Sequence, residues 1–375
     1  MGFRPLYLLA GLFAALSVLG WTAQFAGWMG GHVYVRGPLW HAHEMIFGFA
    51  LAVVVGFMFT AVPNWTQRPT PSGTKLAVIV FLWLSGRLFI LTPWPLLAAV
   101  TDTGFAIAAA AGIAVPLYAS GKSRNYFFVV LLLALGGANL AFQLAMAQFI
   151  DFKAQLSLQA GMDIILIMMA VMGGRVIPMF TANAIPGAQP HRDPRIEFVA
   201  LASLVLLAIT SLTPAPPPVV GTLAVIAALS HAARLVSWQP WRTSGNPILW
   251  ILHASYAWII VHLLLRALSI YGFVSASAAT HALTVGAIGG LTLGMMTRTA
   301  RGHTGRPLQA GRAETTAYAL VQLAAAIRTF LPIAAPGLYL WSINLSGMLW
   351  ATAFLLFCWR FAPILWQARA DGKAS

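Results

Sequence analysis

Residues 45–62 of the chain are MIFGFALAVVVGFMFTAV, a run of eighteen residues without a charged side chain. A helix needs about 20 apolar residues to cross the hydrocarbon core of a bilayer, with about 17–25 as the usual range. Polar residues bound the run on both sides, with His43 and Glu44 before it and Asn64 after it. This stretch therefore predicts a transmembrane helix at about residues 41–63.

Similar apolar runs recur along the whole chain. Of its 375 residues, 59% are hydrophobic and only 8% are charged, and the mean hydropathy is +0.80. Soluble domains carry roughly 25% charged residues, so the low charged fraction of this chain excludes a soluble protein. We predict an all-α membrane protein, a bundle of about 12 transmembrane helices forming a single integral membrane domain over residues 1–375. The predicted spans are 5–27, 41–63, 75–92, 95–118, 124–148, 155–180, 195–212, 217–237, 247–271, 277–298, 313–332 and 337–362.

The net charge of +14 could suggest a nucleic-acid partner, but the distribution of the basic residues indicates a topology signal instead. The basic residues lie a few at a time in short connections, and an excess of Lys and Arg marks cytoplasmic connections. One alternating set of connections holds only Arg36 and Lys153. Both termini are therefore predicted in the cytoplasm, which requires an even number of helices. The other set holds Arg4, Arg68, Lys75, Lys122, Arg124, Arg192, Arg195, Arg234, Arg242, Arg298, Arg301, Arg306, Arg312, Arg369 and Lys373.

Cys358 is the single cysteine in the sequence. It excludes an internal disulfide, a cysteine-based zinc site, an iron–sulfur cluster and covalent attachment of c-type haem. The charged start at Arg4 resembles that of a signal peptide, but the apolar run that follows is long, so we interpret it as an uncleaved first helix.

Small residues recur every four positions in two predicted helices. Gly48, Ala52 and Gly56 share a face of the second helix, and the glycines at 286, 290 and 294 share a face of the tenth. Such stripes are typical of close helix packing. The alternative is that a face without side chains receives a flat cofactor ring.

Ionisable side chains recur at one depth in the membrane. A charge near the bilayer centre costs at least about 2.5–3.5 kcal/mol, so such residues indicate a functional site. With the predicted orientation, His253 falls in the inner half. The residues in the outer half are His41, His43, His262, His281, Glu44, Asp102, Asp163, Arg87, Arg266 and Arg328.

Three interpretations of this shared depth stay open. A haem held in a helix bundle needs one or two axial histidines and cations for its two propionates, which matches histidine and arginine in the same half. Alternatively, the histidines cap helix ends while the arginines pair with Asp102 and Asp163 or extend to the interface. The third interpretation is a substrate-transport role.

Helical spacing limits which histidines share a site. His41 and His43 can face one site only if His41 precedes the helix. His253 and His262 are nine residues apart and point to opposite sides, whereas His262 and Arg266 are four apart and share a face. Glu44 shares its face with His41 and Gly48.

Several motifs, in order, closely resemble the NnrS family of bacterial membrane proteins that contain haem and copper. They begin with Trp40-His-Ala-His-Glu-Met-Ile-Phe-Gly-Phe49 and Thr60-Ala-Val-Pro-Asn-Trp-Thr66. Further along are Gly174-Arg-Val-Ile-Pro-Met-Phe-Thr181, Leu252-His-Ala-Ser-Tyr256, His281-Ala-Leu-Thr-Val-Gly-Ala-Ile-Gly289 and Met295-Met-Thr-Arg-Thr-Ala-Arg-Gly-His-Thr-Gly-Arg-Pro307.

The resemblance implies a twelve-helix protein of the bacterial inner membrane that binds b-type haem and copper. It also implies a role in nitric oxide metabolism and nitrosative-stress defence, through reduction of nitric oxide to nitrous oxide. The motifs match His41, His43, His253, His281 and His303, the last in a cytoplasmic loop where a structural role is expected. His43, His41 and His281 are the metal candidates, and His262 is a candidate through its depth alone. Arg87, Arg266 and Arg328 are the candidate propionate partners.

This chemistry needs protons and electrons as well as haem. Glu44, Asp102 and Asp163 are the candidate proton donors, although both aspartates could instead be arginine partners. With no haem c motif in the sequence, electrons are expected from an external quinol or redox protein. Two alternatives to a nitric oxide reductase stay open: a transporter or handler of haem or copper, and a membrane nitric oxide sensor.

Overall fold

The computed structural model describes residues 1–30 and 34–372, so Lys373, counted above among the cytoplasmic basic residues, lies outside the described residues. The described chain is 81% helical and contains no strand. We number its twelve long helices in chain order. They are α1 Phe3–Phe25, α2 Gly37–Thr66, α3 Gly73–Phe89, α4 Pro95–Ala119, α5 Phe127–Met146, α6 Ala154–Ala184, α7 Pro194–Leu212, α8 Pro217–Ser237, α9 Pro247–Ile270, α10 Ala276–His303, α11 Arg312–Ala334 and α12 Tyr339–Trp366.

The predicted all-α membrane fold is confirmed. Eleven of these helices are long and apolar enough to cross a bilayer, and α3 is shorter at 17 residues. Each predicted span corresponds to one observed helix. Two differences in boundary affect candidate residues: α2 begins at Gly37, four residues before the predicted start, and α10 ends at His303, five residues after the predicted end. His41 therefore lies inside a helix, and His303 ends a helix instead of lying in a loop.

The chain divides into two compact units. Unit 1 comprises Met1–Ile165 and Ala362–Ser375, and unit 2 comprises Leu166–Phe361. Unit 1 thus contains α1 to α5, the first part of α6 and the end of α12. Unit 2 contains the rest of α6 and the helices from α7 to most of α12.

Each unit contains one helix that widens into a π-helix. In α2 the π-helix covers Glu44–Ala50, directly after His43, and in α10 it covers Ala282–Gly289, directly after His281. Such i→i+5 segments are rare and occur frequently at functional sites. In both units the widened segment therefore coincides with residues that the sequence analysis selected.

The glycine stripe of α10 serves close packing against α9. A Cβ atom added at Gly286 would clash with the ring of Trp258, and one at Gly290 would clash with Ser255. The helices can approach this closely only because these positions carry no side chain. The packing interpretation of this stripe is confirmed, and α9 covers the face that could have received a flat ring.

The start of α1 and the end of α12 lie at the same end of unit 1. Arg4, in the first turn of α1, donates a hydrogen bond of 2.8 Å to the carbonyl oxygen of Gln367, just beyond the end of α12. This contact agrees with an even number of helices. Which side of the membrane the ends face stays a prediction of the basic-residue bias.

We expect both termini in the cytoplasm, because cytoplasmic connections retain Lys and Arg. A fluorescent protein fused to Ser375 should fluoresce, and alkaline phosphatase fused at the same residue should be inactive. The reverse pattern, with phosphatase activity from the periplasm, would show that the orientation is wrong.

Candidate functional site

Unit 1 contains a buried group of polar side chains drawn from four helices. We call it the charge cluster; α2, α3, α4 and α5 contribute to it. No member of the group has more than 6% of its surface exposed. Its members are His43, Glu44, Arg87, Asp102, Asn139 and Gln143.

Arg87 joins two carboxylates at the centre of the charge cluster. Its Nη1 donates to Oε1 of Glu44 at 2.7 Å, and its Nη2 donates to Oδ1 of Asp102. Hydrogen bonds between ionised groups are about twice as strong as neutral ones. Asp102 is thus an arginine partner, one of the two roles the sequence allowed, and Arg87 is already engaged on two sides.

His43 faces an acceptor at each ring nitrogen. Its Nδ1 lies 2.9 Å from Oε1 of Glu44, and its Nε2 lies 2.9 Å from Oδ1 of Asn139 and 3.1 Å from Oδ2 of Asp102. An imidazole donates from both nitrogens only as the cation. In that form, two carboxylates balance one guanidinium and one imidazolium, and the buried charge of the cluster is zero.

The backbone of α2 makes room for the charge cluster at Gly48. A Cβ atom there would lie 2.5 Å from Nη1 of Arg87, so a larger residue would displace the guanidinium. The carbonyl oxygen of Gly48 accepts a hydrogen bond of 2.9 Å from Nε1 of Trp83 in α3. The glycine and the tryptophan therefore set how α3 docks on the π-helical part of α2.

Tyr34 connects the charge cluster with the segment before α2. Its hydroxyl donates to the backbone oxygen of Gln143 at 3.0 Å and to Oε1 of the same residue at 3.1 Å. The amide of Gln143 donates in turn to Oδ2 of Asp102 at 3.4 Å. Burial raises the pKa of Tyr34 to about 12, so its hydroxyl stays protonated and remains a donor at neutral pH.

Tyr34, Asn139 and Gln143 were not among the residues predicted from the sequence. Asn139 and Gln143 lie one turn apart inside an otherwise apolar helix, a spacing that places both on one face. Neutral polar residues at bilayer depth hydrogen-bond across helices, so this pair was a usable signal. Tyr34 carried none.

Asp163 and His41, the other candidates of unit 1, contact residues outside the charge cluster. Asp163 is buried and accepts a hydrogen bond of 3.0 Å from Gln159, one turn earlier in α6. His41 is half-buried and stacks on Trp21 of α1, with ring centroids 5.1 Å apart. Because α2 begins at Gly37, His41 and His43 diverge, so the idea that both face one site is wrong.

Two candidate histidines of unit 2 hydrogen-bond through Nδ1 to backbone carbonyl groups. His262 Nδ1 lies 2.8 Å from the oxygen of Ala279, and His281 Nδ1 lies 2.7 Å from the oxygen of Ser277. A carbonyl oxygen only accepts, so Nδ1 carries the proton and Nε2 of the neutral ring carries the lone pair. Metal-ligating histidines are usually oriented in this way.

In the described chain, the nitrogen of His253 without a hydrogen-bond partner is Nδ1, whereas His262 and His281 use Nδ1 as the donor. The Thr181 hydroxyl donates to the backbone oxygen of Ile177 at 2.9 Å, so its oxygen accepts from His253 Nε2, also at 2.9 Å. The Nδ1 atom of His253 is buried and has no hydrogen-bond partner among the described residues. His253 thus contacts α6, whereas His262 contacts the start of α10.

The two candidate arginines of unit 2 contact hydroxyl groups. Arg266 lies one turn after His262 in α9, and its Nη2 donates a hydrogen bond of 2.7 Å to Oγ of Ser211. Arg328 is buried, with Nη2 lying 3.5 Å from the Tyr339 hydroxyl and its guanidinium over the Tyr339 ring. Within the described chain no carboxylate pairs with Arg328.

Unit 2 also holds a buried ionic network that was not predicted from the sequence. Arg234 binds both carboxylate oxygens of Glu197, at 2.8 and 3.0 Å, and donates to the Tyr256 hydroxyl at 2.6 Å. That hydroxyl lies 2.6 Å from Nδ1 of His231. These contacts fasten α7, α8 and α9 together, so we assign the network to structure.

Over residues 1–30 and 34–372, no three His, Cys, Asp or Glu side chains come together as they would around a metal ion.

A family model described as NnrS protein matches residues 1–369 of the chain. No curated protein matches it.

Proposed function

The chain belongs to the NnrS family, and on this premise we propose that it is a b-type haem protein of the bacterial inner membrane that reduces nitric oxide to nitrous oxide. The match over residues 1–369 bears out the resemblance carried by the motifs and links this multi-pass membrane protein to nitric oxide. The observation that carries the proposal is the orientation of His262 and His281, whose ligand nitrogens are set by backbone carbonyl groups.

Side chains of unit 2 fit a haem better than those of unit 1. His262 and His281 are our preferred axial ligands, with His253 in reserve because its Nδ1 carries a lone pair. Arg266 and Arg328 would hold the propionates, since propionates are carboxylates that guanidinium groups bind in pairs of hydrogen bonds. When bound, haem iron would supply nitric oxide binding and electron transfer.

The charge cluster suits proton chemistry better than metal binding. His43 and Arg87 would have to break contacts with Glu44 or Asp102 before either could serve a haem. We therefore reassign both from haem binding to the charge cluster. For copper, which the family resemblance also implies, His41 remains the candidate that the haem assignment does not use, and its side chain is half-buried.

The reaction joins two nitric oxide molecules, two electrons and two protons into nitrous oxide and water. We infer that His43, Glu44 and Asp102 hold a proton that can be released, because the cluster combines an imidazolium with two carboxylates. Asp163 remains a further candidate acid. Electrons would come from an external quinol or redox protein.

The full-length protein, purified from haem-replete cells, should show the optical spectrum of b-type haem when oxidised and reduced. His262→Ala and His281→Ala should each lose most of the haem, because each removes an iron ligand. His43→Gln is the matched control and should retain it. With an electron donor, the wild type should consume nitric oxide at an electrode and release nitrous oxide.

Three results would contradict the proposal at different points. Full haem content in both alanine variants would overturn the ligand assignment. A wild-type protein without haem would overturn the function. Haem-loaded protein that consumes no nitric oxide with several donors would favour the sensor or the haem and copper handler.

A further inference from the structure

Arg298 is a buried cation near the end of α10. Its residue is 9% exposed, and its guanidinium carbon lies 3.7 Å from the ring centroid of Phe180 in α6. Both residues precede the ends of their helices by about one turn, so the site lies at one end of unit 2. The basic-residue bias predicts that this end faces the cytoplasm.

Two other buried arginines near helix ends are neutralised by an acid. Arg234 pairs with Glu197, and Arg301 pairs with Glu314, which also accepts from the backbone nitrogen of Gly311. For Arg298, the described residues provide neither an ion pair nor a hydrogen bond. Unlike the Nε atoms of Arg87 and Arg301, the nitrogens of Arg298 are not fully enclosed by protein, so a ligand from outside can reach this guanidinium.

The contact with Phe180 leaves the donors of Arg298 available. The ring covers a flat face of the guanidinium, whereas its five N–H groups point outward in the guanidinium plane. That planar fork matches the oxygens of a phosphate and binds two of them at once. Phe180 thus orients the cation without using its hydrogen-bonding capacity.

Apolar surface lies next to this fork. Phe180 is half-buried, and the neighbouring residue Met179 is 49% exposed on α6. A phospholipid presents its phosphate at the depth of a helix end and its acyl chains beside exposed apolar side chains. Free phosphate offers the same oxygens without the chains.

We propose that Arg298, stacked on Phe180, is a binding site for a phosphate group at the predicted cytoplasmic end of unit 2. The ligand is a phosphate oxyanion that accepts two hydrogen bonds from the guanidinium. The site is independent of the haem assignment, because no residue in it takes part in the proposed reaction.

The test uses the full-length protein in a neutral detergent with two probes, phosphatidylglycerol and inorganic phosphate. Native mass spectrometry measures the first bound phosphatidylglycerol, and a thermal shift measures inorganic phosphate. Arg298→Gln should weaken binding about tenfold or more, because it removes charge-assisted hydrogen bonds. Arg312→Gln, which removes an exposed arginine at the start of α11, is the control and should bind as the wild type does.

Each outcome bears on the proposal. A loss confined to phosphatidylglycerol supports the site with a lipid as its source, and a loss of the inorganic phosphate shift supports it with free phosphate. Unchanged binding in Arg298→Gln overturns it, as does an equal loss in Arg312→Gln. If Arg298→Gln does not fold, Arg298→Lys keeps the charge but not the planar fork, and unweakened binding there also overturns it.

Discussion

Replacing Glu44 by glutamine is expected to lower nitric oxide consumption by about 10²–10⁴-fold, the usual contribution of a positioned proton donor. Glutamine keeps the shape and the acceptor oxygen that His43 and Arg87 contact, but it cannot titrate. Haem content should stay unchanged, because we assign the haem to side chains of unit 2. The measurement is an electrode assay alongside the haem spectrum.

A matched control separates proton transfer from the loss of a buried ion pair. Glu314 is 4% exposed and pairs with Arg301, so Glu314→Gln also removes a buried negative charge. It should destabilise the protein while leaving turnover per haem near normal. If Glu44→Gln turns over normally, Glu44 does not belong to the proton path.

The position of Glu44 within α2 excludes a role as a helix-end residue stabilised by the helix dipole. α2 begins at Gly37, two turns before Glu44, and the effect of a helix dipole is confined to the first turn. Glu44 is instead 1% exposed and bonded to Arg87.

Replacing Arg87 by methionine is expected to lower the free energy of unfolding by about 3–5 kcal/mol, since it leaves Glu44 and Asp102 without their shared cation. Adding Asp102→Asn should recover part of this loss, because one carboxylate then balances the His43 imidazolium. Equilibrium unfolding in mixed detergent micelles, followed by helical circular dichroism, measures both variants.

Charge compensation distinguishes this role from simple packing. If Arg87 only fills space, the double variant will be no more stable than Arg87→Met. Arg360→Gln is the control: its side chain is 42% exposed and 3.6 Å from Glu314, so its removal should cost at most about 1 kcal/mol. A loss that small in Arg87→Met would contradict a buried charge-balanced cluster.

The sequence alone determined the helices, because crossing a bilayer requires a length of apolar residues that no soluble fold repeats twelve times. It also selected Glu44, Asp102 and Arg87, since a charge at bilayer depth is too costly to be incidental. Their shared depth was visible from position along each span. Their contact was not, because depth leaves open which helices are neighbours.

Tertiary structure decided the partners. Packing of α2, α3, α4 and α5 brought Arg87 between Glu44 and Asp102, while Asp163, at the same predicted depth, bonds to Gln159. The protonated nitrogens of His262 and His281 depend on carbonyl groups, which any residue supplies and no side-chain pattern reveals. The π-helix after His43 arises in the same way, because backbone hydrogen bonding follows how the helices dock as well as residue type.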